Sequence, residues 1–142
     1  MREEYKQRLA KEYRFAAIRM KESSQIPQKL FYFSVLFGEA QRVLNFEWDA
    51  DLVLIQMITQ HVHTQFAGMT QNPVPLQGLP IDWTMLHEKL TQVASDLATY
   101  FEKKGNDNSK EELWQILCRL AEIAFAVSGN GSYLRERGMF KL

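Results

Sequence analysis

The segment from Pro27 to Asn45 constrains this chain more than any other, because its apolar residues fill most of a helical wheel. Leu30, Tyr32, Phe33, Leu36, Phe37, Ala40, Val43 and Leu44 form one wide arc at the three-to-four spacing of an α-helix, and Phe31 and Val35 flank it. Ser34, Gly38, Gln41, Arg42 and Asn45 are what remains for water. A helix with so little polar circumference belongs inside a fold, so the sequence predicts a bundle with this second helix at its centre. Gly38 sits within it at a cost of about 1 kcal/mol relative to alanine. A glycine suits that position where another backbone approaches closely, at a helix crossing or in a dimer contact.

The same periodicity recurs along the chain. From Arg2 to about Glu22 the stripe reads Tyr5, Leu9, Tyr13, Ala16, Ala17 and Met20. Ser23 and Ser24 are positioned to cap the second helix, and Pro27 suits its first turn. Asp49 is the expected N-cap of a third helix, near Ala50 to Phe66, with Leu54, Ile55, Ile58, Val62 and Phe66 buried. A fourth helix opens at Asp82 and carries Trp83, Leu86, Leu90, Val93, Leu97, Tyr100 and Phe101, with Gly105 as its stop. Ser109 and Glu112 have capping-box spacing at the start of a fifth. There Leu113, Leu117, Leu120, Ala124 and Val127 form one seam, and Trp114, Cys118, Ala121 and Phe125 form a second apolar strip beside it. The prediction is one all-α domain over residues 1–142, a bundle of about five helices.

Two segments stand apart from the helices. Gly68, Pro73, Pro75, Gly78 and Pro80 mark a loop at about 67–81, longer than most connections in compact domains. Its Met69, Val74, Leu76, Leu79 and Ile81 are expected to lie over apolar surface. The tail, about 129–142, ends in Met139, Phe140 and Leu142 and is expected to dock.

Charge excludes little but ranks much. Seventeen basic and seventeen acidic residues balance, so no long-range field draws the chain to nucleic acid or to an anionic membrane. The one regional excess is on the first helix, where Lys6, Arg8, Lys11, Arg14, Arg19 and Lys21 interleave with glutamates as on an ordinary solvated face. Cys118 is the only cysteine, which excludes an intrachain disulfide and a multi-cysteine zinc site. With a charged N-terminus and no run long enough to span a bilayer, a cytoplasmic protein without membrane insertion is expected.

Tests for catalytic chemistry mostly remove candidates. His61 and His63 are two residues apart on a helix and face nearly opposite ways, so they cannot share an ion. The wheel places His61 at the core edge and His63 in water. The chain has no Glu-x-x-His pair for a di-iron bundle, no phosphate-binding glycine loop and no nucleophile elbow. Glu47, Asp49 and Asp51 surround a helix start, where capping outweighs calcium. Cys118, within an apolar strip, is expected to be a small buried hydrophobe. No metal, cofactor or catalytic residue is therefore assigned. The polar pair of interest is Glu39 with Arg42 on the most apolar helix, either an ion pair at the core rim or part of a ligand site.

The run from Leu30 to Leu44, LFYFSVLFGEAQRVL, resembles the HEPN family of small helical bundles, which places an aromatic-rich segment ending in an Ala-x-x-Leu-like run here. The order of later helices is also similar, through Ala121-Glu122-Ile123-Ala124-Phe125, and the likeness spans about residues 5 to 134. Many members are RNA-cutting toxins with an Arg followed at four to six residues by His. No arginine lies between Arg42 and Arg119, and no histidine follows any arginine at that spacing. The resemblance therefore implies a non-catalytic, dimeric binding module associated with a protein or nucleic acid. The alternative is a small-ligand binder or enzyme, with a pocket between the helices and under the 67–81 loop lined by Glu39, Arg42, His61 and Trp83.

Overall fold

The computed structural model describes residues 1–71, 83–103 and 110–128. In chain order these form α1 (Glu3–Glu22), α2 (Ile26–Leu44), α3 (Ala50–Gln71), α4 (Trp83–Glu102) and α5 (Lys110–Ser128). Among the described residues there is no strand. The helices close a circuit: α1 packs on α2, α2 on α3, α3 on α5, α5 on α4, and α4 back on α1. Across that circuit α2 also touches α4, which gives it three helical neighbours. Each stripe predicted from periodicity supplies buried residues to a single core.

On α1 the stripe is as predicted, with Leu9, Tyr13, Ala16, Ala17 and Met20 buried and Tyr5 packed at the edge. Tyr13 shows how a polar group is accommodated there: its hydroxyl donates to the Leu36 carbonyl at 2.6 Å, and its ring meets Phe101 edge-on at 5.5 Å. Burial, with the Glu39 charge nearby, pushes the phenol's pKa well up, so it remains a neutral donor. Arg14 fastens α1 to α4, donating to Ser95 Oγ, Thr99 Oγ1 and both oxygens of Glu102.

Several local expectations are corrected. Ser23 does not cap α2; its hydroxyl donates back to the Arg19 carbonyl and closes α1, while α2 starts without a side-chain cap and relies on Pro27 in its first turn. The third helix does not end at Phe66 but runs to Gln71, straight through Gly68. One glycine is only a modest propensity penalty in a helix interior. The predicted loop thus loses its first five positions to α3, and its remainder, with Asp82, lies outside the described residues. So do Gly105, Ser109 and the C-terminal tail.

Asp49 caps α3 as expected, its Oδ1 accepting from the Leu52 N–H at 2.9 Å. Glu47 is used differently: it accepts from the Arg2 backbone N–H and pairs with the N-terminal amine, tying the start of the chain to the α2–α3 link.

Candidate functional site

Glu39 lies on the inward side of α2, one turn beyond Val35 and next to Ala40, and its side chain is only 9% exposed. A carboxylate at that depth needs charged partners. It has two. Arg8 on α1 approaches with Nε at 2.8 Å from Oε2 and a second nitrogen at 3.4 Å from Oε1, and Arg42, one turn along α2, reaches Oε1 at 3.2 Å. The hydrogen bond and charge of Glu39 raise the Arg8 pKa further above its ordinary value. Sequence spacing identified the Arg42 half of this group. Arg8 was hidden, because the contact joins residues 31 apart that only the α1–α2 packing brings together.

Of the other two sequence candidates, His61 stands apart from this cluster and Trp83 cannot be placed against it. His61 is solvent-exposed on α3, without a hydrogen bond or ion pair to Glu39 or Arg42 among the described residues. Trp83 is the first residue of α4, and its side chain lies outside the described set. The two α3 histidines exchange the roles expected of them. It is His63 that is half-buried, with its ring edge-on to Phe37 of α2 at 5.3 Å. The α3 face that packs inward carries Leu52, Ile55, Thr59, Val62 and Phe66, so Leu54 and Ile58 become its flank and His61 falls beyond it. Thr59 could occupy that core position because its hydroxyl donates to the Ile55 carbonyl at 2.6 Å. Desolvation lowers the His63 pKa, an effect the Leu30 carbonyl partly offsets.

The outer surface shows what a wheel cannot separate from core. Phe31 on α2 is 68% exposed and Phe15 on α1 is 44% exposed. Tyr32 bridges them, edge-on to both, with centroid distances of 5.3 Å to Phe31 and 6.0 Å to Phe15. The Arg19 guanidinium lies over the outer Phe15 ring at 5.5 Å. On α2, Gly38 faces open space among the described residues, since an added Cβ would meet nothing within 4 Å. It therefore serves no crossing between the described helices. Phe46 and Trp48, in the α2–α3 link, are 79% and 77% exposed. Sequence reading passed over them; the available signal was two large aromatics in a four-residue polar turn.

On α5 the Trp114–Cys118 end of the second apolar strip turns outward, so Cys118 is not the buried hydrophobe expected of it. Trp114 and Cys118 are both exposed, and Ile116 and Ile123 are buried instead. The reason is the placement of α5 against α3 and α4 together, which covers both sides of the Leu113–Leu117–Leu120 seam and leaves the Trp114 side outward.

Among the described residues no group of three or more His, Cys, Asp or Glu side chains is arranged to hold a metal ion. No described helix is long and apolar enough to cross a membrane. These features define an all-α bundle in which the one buried carboxylate among the described residues, Glu39, is paired with two exposed arginines, and whose aromatic surplus is displayed outward. Comparison with protein-family models, with curated proteins and with solved structures finds no match.

Proposed function

We propose that this chain is a non-catalytic, HEPN-like binding module that assembles as a homodimer in the cytoplasm, with the Phe15–Tyr32–Phe31 face of α1 and α2 as the contact between copies. The observation that carries this reading is the exposed aromatic cluster itself. Three linked rings with an arginine above them are the composition of an interface centre, where aromatic and arginine anchors dominate binding energy. A second copy is favoured over a strongly charged partner because each arginine at the rim is paired: Arg19 with Glu22, and Arg8 and Arg42 with Glu39. That pairing also argues against nucleic acid, since these cations are already engaged by carboxylates. Gly38 supports the same face, because a glycine that no crossing among the described helices needs is useful where a neighbouring copy's helix comes close. The exposed thiol of Cys118 suits a reducing compartment.

Light scattering coupled to size exclusion, supported by sedimentation equilibrium, tests the reading. A dimer at micromolar concentration is expected, and Phe31→Glu is expected to give a folded monomer. A Gly38→Cys variant made in a Cys118→Ser background should form an intermolecular disulfide under mild oxidation. A monomer at every concentration, with no cross-link, sinks the proposal.

A further inference from the structure

A cleft of about 580 Å³ lies between α1, the first turn of α2 and the middle of α4, within the range of about 300–1,000 Å³ typical of small-molecule sites. Its charge is uneven. Arg14, Lys21 and Lys29 line it against a single carboxylate, Glu88. Elsewhere on α1 the arginines face acids, Arg8 with Glu39 and Arg19 with Glu22, and Arg14 itself is shared with Glu102. Lys21 and Lys29, in contrast, have no carboxylate within ion-pair distance among the described residues.

Lys29 is also held in place. Its ammonium donates to the Met20 carbonyl in the last turn of α1 at 2.7 Å, which fixes the side chain without cancelling its charge. Two donors remain for a ligand. Opposite, on α4, the chemistry changes from donors to acceptors. The Gln92 amide nitrogen donates to Asp96 at 2.9 Å, which leaves its carbonyl oxygen as an acceptor, and Gln92 lines the cleft one turn from Glu88. Ser95 accepts from Arg14 at 3.0 Å and retains its own proton to donate.

Cations on one wall and acceptors on the other match an anionic head on a hydroxyl-bearing body. We propose that this cleft binds a small sugar phosphate, its phosphate at Lys21 and Lys29 and its hydroxyls at Glu88 and Gln92. Lysine is a recurrent phosphate ligand, and a charge-assisted hydrogen bond is roughly twice as strong as a neutral one. A fixed Lys29 loses little further side-chain freedom on binding. The site is independent of the dimer contact and does not rest on it.

The test is a two-dimensional ¹H–¹⁵N NMR titration of the full chain with glucose 6-phosphate, glucose, inorganic phosphate and a short single-stranded RNA. Glucose 6-phosphate is expected to give saturating shifts at residues 14–29 and 88–95, with affinity about tenfold or more above glucose and inorganic phosphate. Lys21→Glu, an exposed position that should leave the fold intact, is expected to weaken glucose 6-phosphate by about tenfold or more. Glu88→Gln should reduce the preference for glucose 6-phosphate over inorganic phosphate. The proposal is overturned by an absence of saturating shifts in those residues at millimolar ligand, by equal affinity for inorganic phosphate, or by tighter binding of the RNA.

Discussion

Helices α4 and α2 are nearly the same length, yet they relate to solvent in different ways. On α4 the large apolar side chains described as buried, Leu86, Leu90, Val93, Leu97, Tyr100 and Phe101, turn inward, and Thr84, Glu88, Gln92, Thr99 and Glu102 face water. One chain is enough to complete it. On α2 the inward face, Leu30, Phe33, Leu36, Ala40 and Val43, is filled just as well, but Phe31 remains outside and Tyr32 is only partly covered. The comparison separates two uses of apolar residues: those that hold the monomer together, and a remainder that the monomer does not cover.

The sharpest way to break this distinction is to truncate neighbouring rings on α2. Phe33→Ala should cost about 3–5 kcal/mol in urea unfolding at low protein concentration, because a fully buried ring leaves a cavity. Phe31→Ala under the same conditions should change stability by no more than about 0.5 kcal/mol. Comparable losses at both positions would mean that Phe31 belongs to the monomer's own packing.

Tyr13→Phe probes the inner face more gently. The ring stays and only the hydrogen bond to the Leu36 carbonyl is lost, so about 1–2 kcal/mol of destabilisation is expected by thermal or chemical unfolding. Gly38→Ala should act in the opposite direction. With open space around the added methyl, helix propensity predicts a monomer more stable by about 0.5–1 kcal/mol. The same variant should weaken the dimer in sedimentation equilibrium, which pits the two uses of α2 against each other within one substitution.

The smallest effect concerns pH. Burial lowers the pKa of His63 against Phe37, and of His87, where the charge of Lys29 adds to desolvation. The unfolded chain therefore takes up protons first as pH falls through about 6.5. Stability from these two rings is complete above that value and is lost as pH falls through the lower folded values. Because both rings are partly solvated, the loss should be under about 1 kcal/mol. Melting temperature should fall between pH 7.5 and pH 5, and a His63→Gln, His87→Gln double variant should have a shallower slope in that window.

Much of the fold was legible from spacing. The α1 stripe, the Asp49 cap and the five helices follow from three-to-four periodicity and turn chemistry, which are local properties. Less of the candidate site could be read. Glu39 and Arg42 share a helix and were visible as a pair, but Arg8 reaches Glu39 from another helix. The histidines were assigned in reverse because the wheel of α3 has apolar residues on more than one side, and its orientation is chosen by α2 and α5. Cys118 is exposed and not the buried hydrophobe its apolar strip suggests for the same reason: a strip adjacent to the core looks like core until neighbours are placed.

By itself, then, the sequence determined that this chain is helical, where most helices begin, and that α2 carries more apolar surface than a two-faced helix needs. Periodicity and capping act over a turn or two, so they are written in neighbouring residues. Tertiary structure alone decided which part of that surplus is buried, which acid Arg8 neutralises, and where the lysines of α1 and α2 meet α4. Those outcomes depend on the rotation of each helix about its axis, and that rotation is set by the combined packing of all its neighbours.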